Sequence, residues 1–379
     1  MKNRIPFFNL KRQTSKIQKQ IGKKFKKILK SCQFVCGREV EKFEQKFANY
    51  IGTKYCICVN NGTTALFLSL LANNIKEGDE VIVPVNTFIA TAQAVSLTGA
   101  KPVFVDIDEK NYLINLKEIE EKITKKTKAI IPVHLYGQNL YGQTVNMEKL
   151  KKIAKKFNLL IIEDAAQAHG AEFKGKKAGS FGICGCFSFY PTKNLGCFGE
   201  GGAITTNQKN LAEKIKKLRN HGRENFNSLP ELIGGNFRMP EIQAAILSLK
   251  LKFLEKWNFL RRKKAFFYKK LLKDLEKQNL IKLPEEDPEN LHVYHLFVIR
   301  AKKRDALKKF LEKRGIDTKI HYPYLLHQVP PYSHIYKIFR FPIAEKISRE
   351  ILSLPFFPEI TFKEIKFVSE MIHLFYKNA

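Results

Sequence analysis

The sequence predicts an α/β protein in which a mainly parallel sheet lies between helices and a smaller α+β part follows. Three observations predict it. From residue 78 onward, short apolar runs alternate with amphipathic segments at helical spacing, the pattern of a parallel sheet covered on both faces. Residues able to do chemistry (Gly62-Thr63, Phe88, His134 and Asp164) fall where these runs end. Ligands of such sheets bind outside the carboxyl ends of the strands. Finally, 379 residues suffice for one large and one small core, with the division expected between 1–256, a large domain with an N-terminal arm, and 257–379, a small C-terminal domain.

In chain order, residues 1–50 form an arm and two helices, with Ile17, Ile21, Phe25, Ile28 and Leu29, then Val40, Phe43 and Phe47, at helical spacing. Tyr55–Val59 is a strand, and Asn60-Asn61-Gly62-Thr63-Thr64 opens an apolar helix ending at Ala72. Glycine and hydroxyl residues at a helix start suit an anion, although an ordinary N-cap explains them equally well in isolation. Val81–Val83, Val103–Val105, Ala129–Val133 and Leu159–Ile162 are strands, separated by helices over Ile89–Leu97, Leu116–Ile123 and Met147–Phe157. Beyond 193, Ala203–Thr206 is a strand, Leu211–Leu218 and Glu241–Leu254 are helices, and 228–239 is a loop. A long helix from Trp257 to about Gln278 leads to the C-terminal part. There Val293–Ile299 and Asp317–Tyr322 read as strands, Ala306–Arg314, Ala344–Leu352 and Lys363–Phe375 as helices, and 327–340 as a Pro- and Tyr-rich loop.

Composition excludes several classes. There is no run of about twenty apolar residues to span a membrane, and no signal-peptide core near the N-terminus. The seven Cys form no disulfide framework and no CxxC pair, and no His/Cys cluster completes a metal site, so a cytoplasmic protein with reduced thiols is expected. The net charge of +31 raises a polyanionic partner, but the lysines are spread over helix faces without an Arg-rich block or RNA-binding motif, so no nucleic acid is expected.

The chemistry centres on Lys193, in Cys186-Phe-Ser-Phe-Tyr-Pro-Thr-Lys-Asn-Leu-Gly196, a short strand running into a turn. It has no charged neighbour until Glu200, and an amine held among apolar groups loses solvation and gains nucleophilicity. A snorkelling lysine at a loop edge is the ordinary alternative. Other strand ends supply what Lys193 lacks: an acid at Glu163-Asp164, the phosphate-type start at Gly62-Thr63, and the aromatic Phe88, which could equally be a core residue. Pyridoxal phosphate (PLP) needs these four: an amine to hold it, a carboxylate at its pyridine nitrogen, N–H and hydroxyl groups for its phosphate, and a ring to stack on. Glu163 and Asp164 point to opposite faces of their strand, so only one can reach that ring.

Glu163-Asp-Ala-Ala-Gln-Ala-His-Gly170, Ser188-Phe-Tyr-Pro-Thr-Lys-Asn-Leu-Gly196, Gly199-Glu-Gly-Gly202, Gly235-Asn-Phe-Arg-Met239 and His321-Tyr-Pro323 together resemble the nucleotide-sugar aminotransferases of the DegT/DnrJ/EryC1/StrS family. The resemblance covers nearly the whole chain. It implies the fold-type I aminotransferase fold and a homodimer with shared active sites. It implies that Lys193 holds the cofactor covalently and shuttles the proton, and that Asp164 pairs with the pyridine nitrogen. Gln167 would lie near the cofactor's 3-hydroxyl and Phe88 on its ring. Gly62, Thr63 and Ser188 would take the phosphate, joined by Asn236 of the second subunit, which without the family reads as a polar loop residue. His134, His321 and Tyr322 are expected to meet the substrate.

His134-Leu-Tyr-Gly-Gln138 with Gln167-Ala-His169 looks most like enzymes that aminate C3 of dTDP-3-keto-6-deoxyhexoses, with glutamate as donor. A UDP- or dTDP-4-keto sugar 4-aminotransferase is the alternative. Dehydratase relatives carry histidine in place of the lysine, so Lys193 argues for transamination. Thr192 stands where many relatives have glycine, and Asn139-Leu-Tyr-Gly-Gln143 repeats the preceding five residues as an extra loop segment.

Overall fold

A computed structural model describes residues 4–140 and 146–378. The strands are β1 (Tyr55–Val59), β2 (Glu80–Pro84), β3 (Lys101–Val105), β4 (Thr127–Ile130), β5 (Leu160–Asp164), β6 (Glu172–Phe173), β7 (Lys176–Lys177), β8 (Cys184–Ser188), β9 (Gly202–Thr206), β10 (Ile281–Lys282), β11 (Asn290–Leu291), β12 (Phe297–Ala301) and β13 (Ile351–Leu354). Seven of them make one sheet in the order β1-β9-β8-β5-β4-β2-β3. All its neighbours pair in parallel except β9, which runs antiparallel to both β8 and β1. The expected mainly parallel sheet is therefore present. Its strands are buried along nearly their whole length, as near-continuous runs such as Val81-Ile82-Val83 require.

Helices α3 (Gly62–Ala72), α4 (Ala90–Ser96), α5 (Leu116–Lys122), α6 (Met147–Lys156) and α7 (Lys209–Arg219) connect these strands. Leu66, Leu68 and Leu70 of α3 join the strand residues in one apolar core. α1 (Leu10–Ser31) and α2 (Arg38–Ile51) precede the sheet. Phe43 and Phe47 of α2 meet Phe187 and Phe189 of the β8 segment edge-on, with centroids 5.0–5.4 Å apart, and this aromatic knot backs the Lys193 turn.

The second core gathers around the three-stranded sheet β10-β12-β13 and the helices α10 (Arg304–Glu312) and Phe362–Lys377. α9 (Leu254–Lys277) runs without a break across the expected boundary at 256/257. Ile5 belongs to this second core and bridges to Ile316, so the N-terminal arm is fastened to the C-terminal part.

Several element boundaries differ from expectation. The helix expected over Glu241–Leu254 ends at Lys250 as α8 (Glu241–Lys250), and a 3-10 turn, Leu251–Phe253, separates it from α9. Ile351-Leu352, expected as the end of a helix, starts β13, where both are fully buried and pair with Arg300 and Ile299 of β12. Only Lys319 of Asp317–Tyr322 bridges to the sheet, because the chain then turns into the cleft. The strand expected from Val293 begins at Phe297, since Tyr294 takes a left-handed backbone with φ 45°. The 327–340 loop carries a short helix, Pro330–Ser333. The expected extra segment reaches the described residues only at Asn139 and Leu140, both buried; 141–143 lie outside them.

Candidate active site

Strand β5 presents its last two residues to opposite sides. Glu163 turns away from the cleft, and its carboxylate accepts from the N–H groups of Gly179, Phe181 and Gly182 at 2.7–2.8 Å and from His134 Nε2 at 2.8 Å. Asp164 turns into the cleft, where Thr91 Oγ1 donates to it at 2.8 Å and the Ala166 N–H at 3.1 Å. Burial pushes its carboxyl up from the ordinary aspartate range, against the pull of Thr91, Ala166 and the Lys193 charge.

Next to β5, β8 ends at Ser188 and the chain turns, with the Lys193 N–H donating to the Tyr190 carbonyl at 2.9 Å. Asn194 anchors this turn: its side-chain amide donates to Asn258 Oδ1 at 2.9 Å and to the Val293 carbonyl at 3.0 Å. Lys250 also donates to the Gly196 carbonyl. Desolvation pulls the Lys193 amine down to about 8, and the Asp164 carboxylate only partly restores it. A substantial neutral fraction at neutral-to-basic pH is what a nucleophilic amine needs.

The N-terminus of α3 closes the third side. Asn61 Oδ1 accepts from the Thr64 N–H at 2.8 Å, leaving the first-turn N–H groups of Gly62 and Thr63 for a ligand. A Cβ on Gly62 would lie 2.6 Å from Ser188 Cβ, so the helix start and the β8 end meet at a distance only glycine allows. The resulting cleft, about 650 Å³, is lined by Gly62, Thr63, Phe88, Asp164, Gln167, Ser188, Lys193, His321 and Tyr322 among the expected residues. Phe88 is half-exposed to the cleft, its ring 5.9 Å from that of Tyr322. Gln167 accepts from the Tyr136 N–H at 2.7 Å and donates to the Tyr322 hydroxyl at 2.9 Å, which leaves its second amide proton for a ligand. His321 is held by Ser353 Oγ at 2.8 Å, and desolvation lowers its imidazole to about 4.

Two expected residues are placed elsewhere. His134 is fully buried and does not line the cleft. Its Nδ1 accepts from the Leu140 N–H at 3.2 Å, so Nε2 carries the proton that goes to Glu163, and the ring braces the protein interior rather than a substrate. Asn236 does not line the cleft of its own chain either; its Oδ1 accepts from Arg238 Nε at 2.9 Å. His169, which the resemblance set beside Gln167, is also fully buried, against Phe187 and Phe189.

Comparison with known proteins decides the family. The DegT/DnrJ/EryC1/StrS aminotransferase family model matches residues 15–373. A dTDP-3-amino-3,6-dideoxy-alpha-D-galactopyranose transaminase of Aneurinibacillus thermoaerophilus is 46% identical over 370 residues, 97% of this chain and 99% of the relative. A protein of Geobacillus stearothermophilus named a pleiotropic regulatory protein is 42% identical over 379 residues, 99% of both chains. The crystal structure of S. venezuelae DesV in complex with a ketimine intermediate superposes with a TM-score of 0.92 at 39% identity, over 98% of both chains. The chain belongs to the DegT/DnrJ/EryC1/StrS aminotransferase family. It has the fold of the PLP-dependent aminotransferases and is a nucleotide-sugar aminotransferase.

The cleft of this aminotransferase fits PLP. The close approach of Gly62 to Ser188 forms a small cradle with backbone donors and a hydroxyl, suited to a phosphate, and Lys193 and the buried Asp164 lie beyond it in the same cleft. Sequence reasoning missed Thr91, which lies in the first turn of α4 while Thr87 lies in the bend before it, so no helical spacing links the two and only the fold brings their hydroxyls together. It also missed His295, which lines the cleft and sits 3.3 Å from Asn194 Oδ1. No local sequence signal marks His295, because its place depends on the C-terminal part folding over the sheet.

Proposed function

We propose that this aminotransferase is a homodimer that moves the amino group of glutamate onto C3 of a dTDP-linked 3-keto-6-deoxyhexose. The observation that carries the transamination reading is the desolvated Lys193 amine in one cleft with the buried Asp164 carboxylate and the Gly62-Thr63 helix start. PLP supplies the electron sink for the carbon that gains or loses the amine. Lys193 would hold the cofactor, and its Nζ would carry the proton to and from the reacting carbon. Asp164 holds the protonated pyridine nitrogen. Gly62, Thr63 and Ser188 bind the phosphate, and Asn236 of the second subunit completes that site. Gln167 orients the ring edge, Phe88 covers the ring face, and His321 and Tyr322 meet the sugar from the opposite wall.

The C3, dTDP reading is supported by the likeness to the Aneurinibacillus enzyme. His134 and His169 do not contribute to that specificity, since their buried rings do not line the cleft. The test is to supply glutamate with dTDP- and UDP-linked 3-keto and 4-keto sugars and to identify products by mass and NMR. The expected result is a kcat/KM for the dTDP-3-keto-6-deoxyhexose at least about tenfold above the others, the net worth of one hydrogen bond. A UDP or 4-keto sugar turned over faster would overturn the substrate assignment and leave transamination standing.

A further inference from the structure

A carboxylate that holds a protonated pyridine nitrogen has to stay ionised, and Asp164 is asked to do so while buried. Among the described contacts, none puts an arginine or lysine in hydrogen-bond contact with it; its oxygens are met by two neutral donors, the Ala166 N–H on Oδ1 and the Thr91 hydroxyl on Oδ2. Burial pushes the carboxyl up, and Thr91 is the strongest of the groups that pull it back.

Thr91 is itself constrained. It is fully buried, its single hydroxyl proton is spent on Asp164, and its oxygen must then accept. The Thr87 hydroxyl, 3.1 Å away and also buried, is placed to donate to it. The proton direction is therefore fixed along the chain: Thr87 donates to Thr91 and Thr91 to Asp164. Thr91 is the second residue of α4 and Thr87 lies in the bend just before the helix, so one short stretch of chain sets the geometry. The chain of hydroxyls polarises Thr91 and strengthens its bond to the carboxylate.

We propose that Thr91, oriented by Thr87, is a positioning residue that keeps Asp164 ionised and aimed at the cofactor's pyridine nitrogen. This rests on the reading of Asp164 as that nitrogen's partner. Thr91 acts only through Asp164, so its effect must pass through the ring nitrogen, and a cofactor without that nitrogen must be blind to it.

The experiment measures equilibrium dissociation constants of PLP and of its 1-deaza analogue, in which carbon replaces the ring nitrogen, for apoprotein of the wild type and of Thr91→Val, Thr91→Ser and Thr87→Val. Wild type is expected to prefer PLP by about tenfold or more, the worth of one hydrogen bond to a charged group. Thr91→Val is expected to lose most of that preference, Thr87→Val part of it, and Thr91→Ser little. A merely structural defect in Thr91→Val would weaken both ligands together and leave the ratio at the wild-type value, which overturns the proposal. A wild type that shows no preference would instead overturn the Asp164 assignment beneath it.

Discussion

Lys193 and His134 show how far a single residue can be read from its neighbours. The apolar setting of Lys193 is local in sequence, and desolvation does lower its amine to about 8. The sign of the consequence follows. Below that value the amine is mostly protonated and cannot attack, and above it the neutral form dominates. Covalent capture of PLP by the apoprotein should therefore accelerate as pH rises through about 8 and then level off, in stopped-flow absorbance. A rate still climbing through the ordinary lysine range would contradict it. His134 was misleading because β4 already ends at Ile130, with Val133 only bridging to Asp164, and the side chain points away from the cleft into Glu163. His134→Ala should cost about 1–3 kcal/mol in denaturant unfolding, since it strips a donor from a buried carboxylate. The KM for the sugar should stay within about twofold, because that residue supplies no substrate contact. A large KM change at unchanged stability would restore it to the substrate site. The choice between Glu163 and Asp164 needed only strand geometry plus the resemblance, and most of the partners each one meets were invisible in sequence because, Ala166 apart, they lie 16 or more residues away.

Among elements, the junction of α3 with β8 does the most to shape the cleft. Gly62→Ala would place a methyl 2.6 Å from Ser188 Cβ and 3.2 Å from its Cα, so the helix start must back away. PLP affinity should fall by about tenfold or more, as one or more phosphate hydrogen bonds are lost. Far-ultraviolet circular dichroism should stay unchanged. An unchanged affinity would show that the phosphate does not sit there. The start of α3 was legible because Asn61 is a good N-cap residue by its own side chain and Gly62 follows it at once. The strands of the sheet were legible because each is an apolar run with two buried faces. The C-terminal part was read less well. Ile351-Leu352 fits helical spacing as well as a strand, and pairing with β12 decides between them. Asp317–Tyr322 has the composition of a strand but bends into the cleft after one bridge.

At the scale of the whole molecule, the question is which chain owns the site. Asn236 lies away from the cleft of its own chain, and the proposed dimer brings it from the second subunit. Mixing Lys193→Ala with Asn236→Ala protomers then leaves one intact site in each mixed dimer. Random reassortment of the two inactive variants should recover about a quarter of wild-type activity, half the dimers with half their sites. No recovery after confirmed subunit exchange would place Asn236 in its own chain's chemistry or outside the site. The +31 charge stays unassigned to any ligand, and many of its lysines are paired on the surface with Glu partners, as in Lys156–Glu120 and Lys174–Glu148. Such exposed pairs contribute little to stability.

In the proposed reaction Lys193 drives amine transfer to a nucleotide-linked keto sugar. The most direct measurement gives the enzyme glutamate labelled with nitrogen-15 and dTDP-3-keto-6-deoxyhexose, then follows the label by NMR. Labelled nitrogen bonded to C3 of the sugar is expected with wild type and none with Lys193→Ala. Loss of a sugar hydroxyl without incorporation of the label, or equal labelling by both proteins, would contradict it.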